Sequence, residues 1–269
     1  MIMRPLSFSN IRSLQSESRL QICRRSTQQQ QRLMVEKQSH SSGVSESTAA
    51  IKFSPVVDKM QQLVSDDPIG GWKRCWEEGL TPWDLGKPTP ILQYLHQTGS
   101  LPMGRALVPG CGSGNDVVTL ACPERYVIGL DLSDIAIRKA RELSLSSPQA
   151  NYCSFQKADF FTWHPFELFD LIIDYTFFCA IEPNMRSSWA SRMRDLLKLD
   201  GELVTIMFPI DDHSGGPPYK TSVADYEDVL HPMGFQAILI KHNELAVERR
   251  KGREMLGRWK RMAKTQSSL

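Results

Sequence analysis

The 269-residue sequence predicts a doubly wound α/β domain around a mostly parallel sheet, on two observations. Short apolar runs alternate with helix-like segments from about residue 105 to 241. Runs such as Leu171-Ile-Ile and Leu203-Val-Thr-Ile-Met-Phe208 suit strands buried on both faces. The second observation is Arg105-Ala-Leu-Val-Pro-Gly-Cys-Gly-Ser-Gly-Asn-Asp116 followed by Tyr126-Val-Ile-Gly-Leu-Asp131. It reads as strand, glycine turn, helix, strand, with a carboxylate at the second strand's carboxyl end.

Taken in order, apolar residues recur at helical spacing from Ile51 to Val64, and Asp66-Asp-Pro68 breaks the pattern. Residues 71–79 read as a short helical turn and 81–86 as a loop. Thr89 is the expected N-cap of the next helix, with Pro90 at its first position. Strands follow at 105–109, 126–131, 152–156, 168–174, 201–208 and 235–241. Helices fall at 115–121, 133–144, 184–198 and 222–231, with Ser133 and Asn184 or Pro183 as starts and Gly201 as an exit.

In such a fold ligands bind in the crevice at the strands' carboxyl ends. The glycines, Gly110, Gly112 and Gly114, follow G-x-G-x-G rather than the dinucleotide spacing G-x-G-x-x-G, and no Lys-Ser/Thr follows to cradle a triphosphate. A bare backbone beside Asp131, which is placed to hold a ribose, suits a nucleoside without phosphates, such as S-adenosylmethionine. The plain alternative is that the glycines only make a turn. Asp159 either accepts a hydrogen bond from an adenine amino group, with Phe160 on the ring, or caps a turn. Tyr175 stands near the reacting centre or in the core. The turn-rich segment 208–219 either covers an acceptor pocket or is a surface excursion. Trp72, Trp76 and Trp83 either anchor the amino-terminal segment or cover a sulfonium cation, whose charge ring faces attract.

No apolar run nears the roughly 20 residues that span a bilayer, so no membrane partner is expected. Residues 1–33 hold six arginines and one glutamate, which leaves 26 basic and 29 acidic side chains elsewhere. A nearly neutral body carries no footprint for nucleic acid. Cys23, Cys75, Cys111, Cys122, Cys153 and Cys179 form no C-x-x-C pair, which points to reduced thiols inside the cell and to no metal site. Residues 1–50 read as a disordered extension. Its Arg-rich, acid-poor front is either an organelle transit peptide or an upstream extension before Met34, so the expected compartment is cytoplasm, with plastid as the alternative. Residues 51–269 are expected to form the folded domain, with 51–100 as a Trp-rich cover, as a monomer or weak homodimer.

Gly-Gly-Trp72-Lys-Arg-Cys-Trp76-Glu-Glu-Gly-Leu-Thr-Pro-Trp83-Asp, Leu-Val-Pro-Gly110-Cys-Gly-Ser-Gly-Asn-Asp, Asp159-Phe-Phe-Thr-Trp and Gly215-Gly-Pro-Pro-Tyr219 together resemble the plant thiol/halide methyltransferases. These, the "harmless to ozone layer" or thiocyanate methyltransferase type, belong to the thiopurine methyltransferase-like family. The resemblance covers about residues 51–265. It implies a Rossmann-like class I S-adenosylmethionine-dependent fold, with a seven-stranded sheet, helices on both faces and a helical cover. It also implies a cofactor held by Trp72, Trp76, Trp83, Gly110, Gly112, Asp131, Asp159, Phe160 and Tyr175. Asn115 departs from the family's frequent His. The implied acceptors are thiocyanate, bisulfide and halides, with small organic thiols as the alternative.

No nucleophile–base or paired-carboxylate constellation stands out, and such anions need none because no proton must leave before attack. Tyr175 is the first candidate for a polar contact to the acceptor. Arg186 and His213 are weaker ones, read first as a surface residue and a solvated loop residue. Rival readings are a cofactor-binding protein without activity and a nicotinamide oxidoreductase, which the glycine spacing disfavours.

Overall fold

Strands β1 (Gly104–Pro109), β2 (Arg125–Asp131), β3 (Cys153–Lys157), β4 (Phe169–Tyr175), β5 (Leu197–Met207), β6 (Phe235–His242) and β7 (Met255–Arg261) form one sheet in the computed structural model, which describes residues 54–261. Their order is β3-β2-β1-β4-β5-β7-β6; β7 runs antiparallel to both neighbours and the other pairings are parallel. The helices are α1 (Pro55–Asp66), α2 (Gly70–Glu77), α3 (Pro90–Gln97), α4 (Asn115–Leu120), α5 (Asp134–Leu145), α6 (Arg186–Leu196) and α7 (Val223–Leu230). The expected extension at 1–50 lies outside the described residues. Among the described residues no helix is long and apolar enough to cross a membrane.

Alternation along the strands splits the core into two layers. Ala106, Val108, Leu171 and Ile173 face Ile91 and Leu95 of α3, Val117 and Leu120 of α4, and Ile137 of α5. Leu107, Ile128, Ile172 and Leu203 face Trp189 and Met193 of α6, with Tyr226 and Leu230 of α7. In register, Leu107 lies opposite Ile128 on one side and Ile172 on the other. A smaller third cluster joins Met60, Leu63 and Val64 of α1 to Cys75 of α2, with Trp72 and Trp83 packed against it.

Three expectations change. The element-by-element reading lacks β7, because Met255-Leu-Gly-Arg-Trp-Lys-Arg261 carries three basic residues. Arg258 enters a half-buried ion pair with Glu202 and donates to Ser100 O (2.8 Å), while Trp259 is fully buried. Gly201 is not a helix exit: α6 ends at Leu196 and β5 begins at Leu197. Pairing to β4 jumps from Phe169↔Leu197 to Leu171↔Glu202, so residues 198–201 bulge out and Lys198 Nζ reaches Asp170 (2.8 Å). The first helix ends where Asp66-Asp-Pro68 breaks the pattern: α1 closes at Asp66, and Asp67 accepts the Gly70 N–H (2.8 Å) at the start of α2. Thr89 holds the N-cap position, yet its side chain caps nothing. Its N–H and hydroxyl both donate to Asp116 of α4 (2.7 and 2.8 Å), tying the two helix starts together. Ser133 does cap α5, accepting the Ala136 N–H (3.3 Å).

Candidate active site

The site grows from the β1–α4 turn. Gly110 adopts φ +60°, and a Cβ there would stand 2.6 Å from the Phe177 ring. Gly114 adopts φ +80° at the helix start, where a Cβ would meet Ala140 Cβ at 2.7 Å. Only glycine fits both the backbone and the space. The Gly112 N–H donates to Asp131 Oδ2 (3.0 Å), and Ser133 N–H donates to Oδ1 (2.9 Å). Each oxygen is thereby oriented and keeps lone-pair capacity for a further donor. Burial pushes the Asp131 carboxyl up to about 6, against the pull of its backbone donors.

Above this turn lies a cavity of about 890 Å³. Trp72, Trp76, Trp83, Gly110, Asp131, Asp159 and Phe160 all line it. The indoles meet edge to face, Trp83 to Trp72 at 5.3 Å and to Trp76 at 6.1 Å between centroids, while Lys139 Nζ sits 5.1 Å over the Trp76 ring. The tryptophans therefore anchor the cover and wall the cavity at once. Asp159 caps a turn, accepting the Phe161 N–H on Oδ1 (2.9 Å), and still lines the cavity. Phe160 is buried and meets Phe177 edge on at 5.1 Å.

Two of the expected residues stand behind this lining. Gly112 contributes its N–H to Asp131. Tyr175, expected near the reacting centre, is instead engaged elsewhere: its hydroxyl donates to Glu254 Oε1 (2.6 Å) and accepts from Arg250 Nη1. Burial raises its phenol far above the usual range, so it stays protonated. Arg186 is no surface residue: it is buried, donates to Lys220 O (2.8 Å), pairs with Asp225 (3.3 Å) and lies over Phe178. His213 is not solvated: it is buried, with Nδ1 against Asp211 and Nε2 against Pro218 O (2.8 Å), and so staples the 208–219 loop. From that loop Phe208, Pro217, Pro218 and Tyr219 reach the cavity. Gln61 of α1 donates to Pro217 O (3.1 Å), joining cover and loop.

Sequence reasoning passed over Arg249, Arg250 and Arg253, all of which line the cavity. Arg250 is buried, donates to Trp83 O (2.8 Å), and lies 4.9 Å over the Tyr175 ring and 4.8 Å over the Phe208 ring. Arg253 pairs with Asp211. Their only signal is the run Glu248-Arg-Arg-Lys-Gly-Arg253, which reads as a solvated charged turn. Cys179 also lines the cavity; burial, helped by the Asp174 carboxylate, pushes its thiol up to about 12. Its Sγ–H donates to Thr176 O (3.5 Å).

The cavity is thus lined both by a bare-backbone cradle with a carboxylate and by three arginines. The family model for thiopurine S-methyltransferase matches residues 68–264. The chain belongs to the thiopurine S-methyltransferase family. Within that family it is 60% identical over 193 residues to thiocyanate methyltransferase 1 of Brassica oleracea, covering 72% of this chain and 85% of the relative. It is 58% identical over 212 residues to "Probable thiol methyltransferase 2" of Arabidopsis thaliana, covering 79% and 94%. Among solved structures, 1,6-didemethyltoxoflavin-N1-methyltransferase of Burkholderia thailandensis aligns with TM-score 0.61 at 13% identity, over 82% of this chain and 95% of that one. That likeness shows the Rossmann-like methyltransferase fold.

A thiopurine S-methyltransferase family member of this kind is a methyltransferase that depends on S-adenosylmethionine, and the residues present fit that cofactor. A Cβ on Gly110 would fill the cradle, Asp131 keeps acceptor capacity for sugar hydroxyls, and the aromatic rings suit an adenine and a sulfonium.

Proposed function

We propose that the chain methylates small anionic nucleophiles: thiocyanate first, and also bisulfide and halides. The observation that carries this reading is one largely apolar cavity lined both by the glycine–carboxylate cradle and by Arg249, Arg250 and Arg253. S-adenosylmethionine, when bound, supplies a methyl group on a sulfonium. Asp131 accepts from the ribose hydroxyls, Asp159 and Phe160 take the adenine, and Trp72, Trp76 and Trp83 exclude water and favour the cation. The arginines lower the cost of bringing an anion out of water into aromatic surroundings. These nucleophiles are already ionised, so the chain has no proton to remove; it aligns the reactants and strips water. The names of the Brassica and Arabidopsis relatives, a thiocyanate and a probable thiol methyltransferase, support a sulfur acceptor.

A second reading, a small organic thiol as acceptor, is favoured by the cavity's size and by Val57, Met60 and Ile181 in its lining, since about 890 Å³ lies high in the roughly 300–1,000 Å³ range of small-molecule sites. The five free cysteines of the described residues suit a reducing compartment, the cytoplasm or plastid. The test incubates the full chain with S-adenosylmethionine and, separately, thiocyanate, bisulfide, iodide and a panel of alkyl and aryl thiols. Headspace gas chromatography reads the volatile methyl products, and liquid chromatography reads the methylated thiols and S-adenosylhomocysteine. Methyl thiocyanate as the main product supports the first reading. Turnover confined to organic thiols replaces it with the second.

A further inference from the structure

Thr176 stands out among the described residues as the one non-glycine residue with positive φ, +63°. For a β-branched side chain this left-handed conformation is costly, and such residues collect at functional sites. Thr176 follows the last residue of β4, which lies between β1 and β5 in the middle of the sheet. It lines the cavity between Gly110, at the end of β1, and Phe208, which follows β5 and lies beneath Arg250 and Arg253.

Several neighbouring side chains already have partners within the protein. The Tyr175 hydroxyl is spent on Glu254, Arg250 on Trp83 O and Tyr175, and Arg253 on Asp211. The Cys179 thiol donates to the Thr176 carbonyl. The Thr176 hydroxyl has no hydrogen-bond partner among the described residues. We infer that Thr176 is a specificity-determining residue whose hydroxyl donates to the acceptor anion, favouring nucleophiles that accept hydrogen bonds strongly. This rests on the anionic-acceptor reading above. In the reaction a lone pair of the anion forms the bond to the methyl carbon while the carbon–sulfur bond breaks and its electron pair stays on sulfur. The hydroxyl keeps its proton throughout.

The test compares wild type with Thr176→Val, which keeps the shape without the donor, and Thr176→Ser, which restores the donor. Thr176→Gly removes the donor and relieves the backbone, so it folds even where valine does not. Measured are kcat/KM for bisulfide and for iodide, and the Kd of S-adenosylhomocysteine by calorimetry. In the Val and Gly variants the bisulfide-to-iodide ratio of kcat/KM is expected to fall about five- to tenfold, with the Kd within twofold of wild type and Ser near wild type. An unchanged ratio in both, beside an active wild type, overturns the inference alone. So does an equal loss on both acceptors that tracks weakened S-adenosylhomocysteine binding. A wild type that methylates neither anion overturns the acceptor reading and this inference with it.

Discussion

Replacing Asp131 tests the cofactor end most directly. Its two oxygens accept from Gly112 N–H at 3.0 Å and Ser133 N–H at 2.9 Å, which fixes the carboxylate at the crevice. A ribose donating to this oriented charge gains about 1.5–3 kcal/mol, the range for hydrogen bonds to charged groups. Asp131→Ala should therefore raise the Kd of S-adenosylhomocysteine by roughly 10- to 150-fold. Asp131→Asn keeps the volume and one acceptor, and should fall between Ala and wild type. Isothermal titration calorimetry supplies the Kd, and circular dichroism checks that both variants fold.

The same group gives a pH signature. Burial holds its folded-state carboxyl near 6, above the unfolded value of 3.8. Ribose donors favour the ionised form, so affinity should be flat above about pH 7 and weaken as pH falls through 6. The stability contribution has the opposite sign: the buried charge costs stability above 6, and that cost is relieved on acidification. Asp131→Asn should flatten the binding profile. A Kd within twofold of wild type in both variants would refute the ribose role.

Gly110→Ala should abolish cofactor binding while far-ultraviolet circular dichroism stays native-like, because its Cβ would stand 2.6 Å from Phe177 at φ +60°; near-normal titration of S-adenosylhomocysteine would contradict the cradle. Glu254→Leu should cost about 3–5 kcal/mol in urea unfolding, since it leaves Arg250 buried without its carboxylate and frees Tyr175 and Asn243. A loss below 1 kcal/mol would show that the pair is dispensable. Asp174, fully buried and pushed up to about 6 by burial, takes up a proton in the folded state before the unfolded one does. Its contribution should make the fold more stable as pH falls from about 6 towards 4, by up to about 1.4 kcal/mol per unit. Asp174→Asn should remove that part of the slope in chemical-denaturation series; an unchanged slope would assign it to other groups.

What the sequence reveals follows from how local each feature is. The β1–α4 turn and Asp131 are legible because positive φ demands glycine and a strand end demands a polar residue there. β1, β2, β4 and β5 are legible because burial of most of their residues leaves near-continuous apolar runs. β7 is not, since Arg258 answers to Glu202, 56 residues away. Tyr175 reads as a residue of the reacting centre until Glu254, 79 residues on, takes its hydroxyl. Arg186 and His213 look solvated because Asp225 and Pro218 are brought to them by the loop's course. Arg249, Arg250 and Arg253 lie far from every other cavity motif in the chain, and a basic run announces solvent more readily than a pocket. Thr176 carries no sign at all, because a left-handed threonine looks like any other.

Cys179 places a sulfur atom of the protein's own in the cavity proposed above to receive the methyl acceptor. With its thiol pushed up to about 12 by burial, it stays almost wholly protonated near pH 7. Burial of this thiol is expected to shield the protein from methylating itself. Prolonged incubation with S-adenosylmethionine and no acceptor should leave its intact mass unchanged.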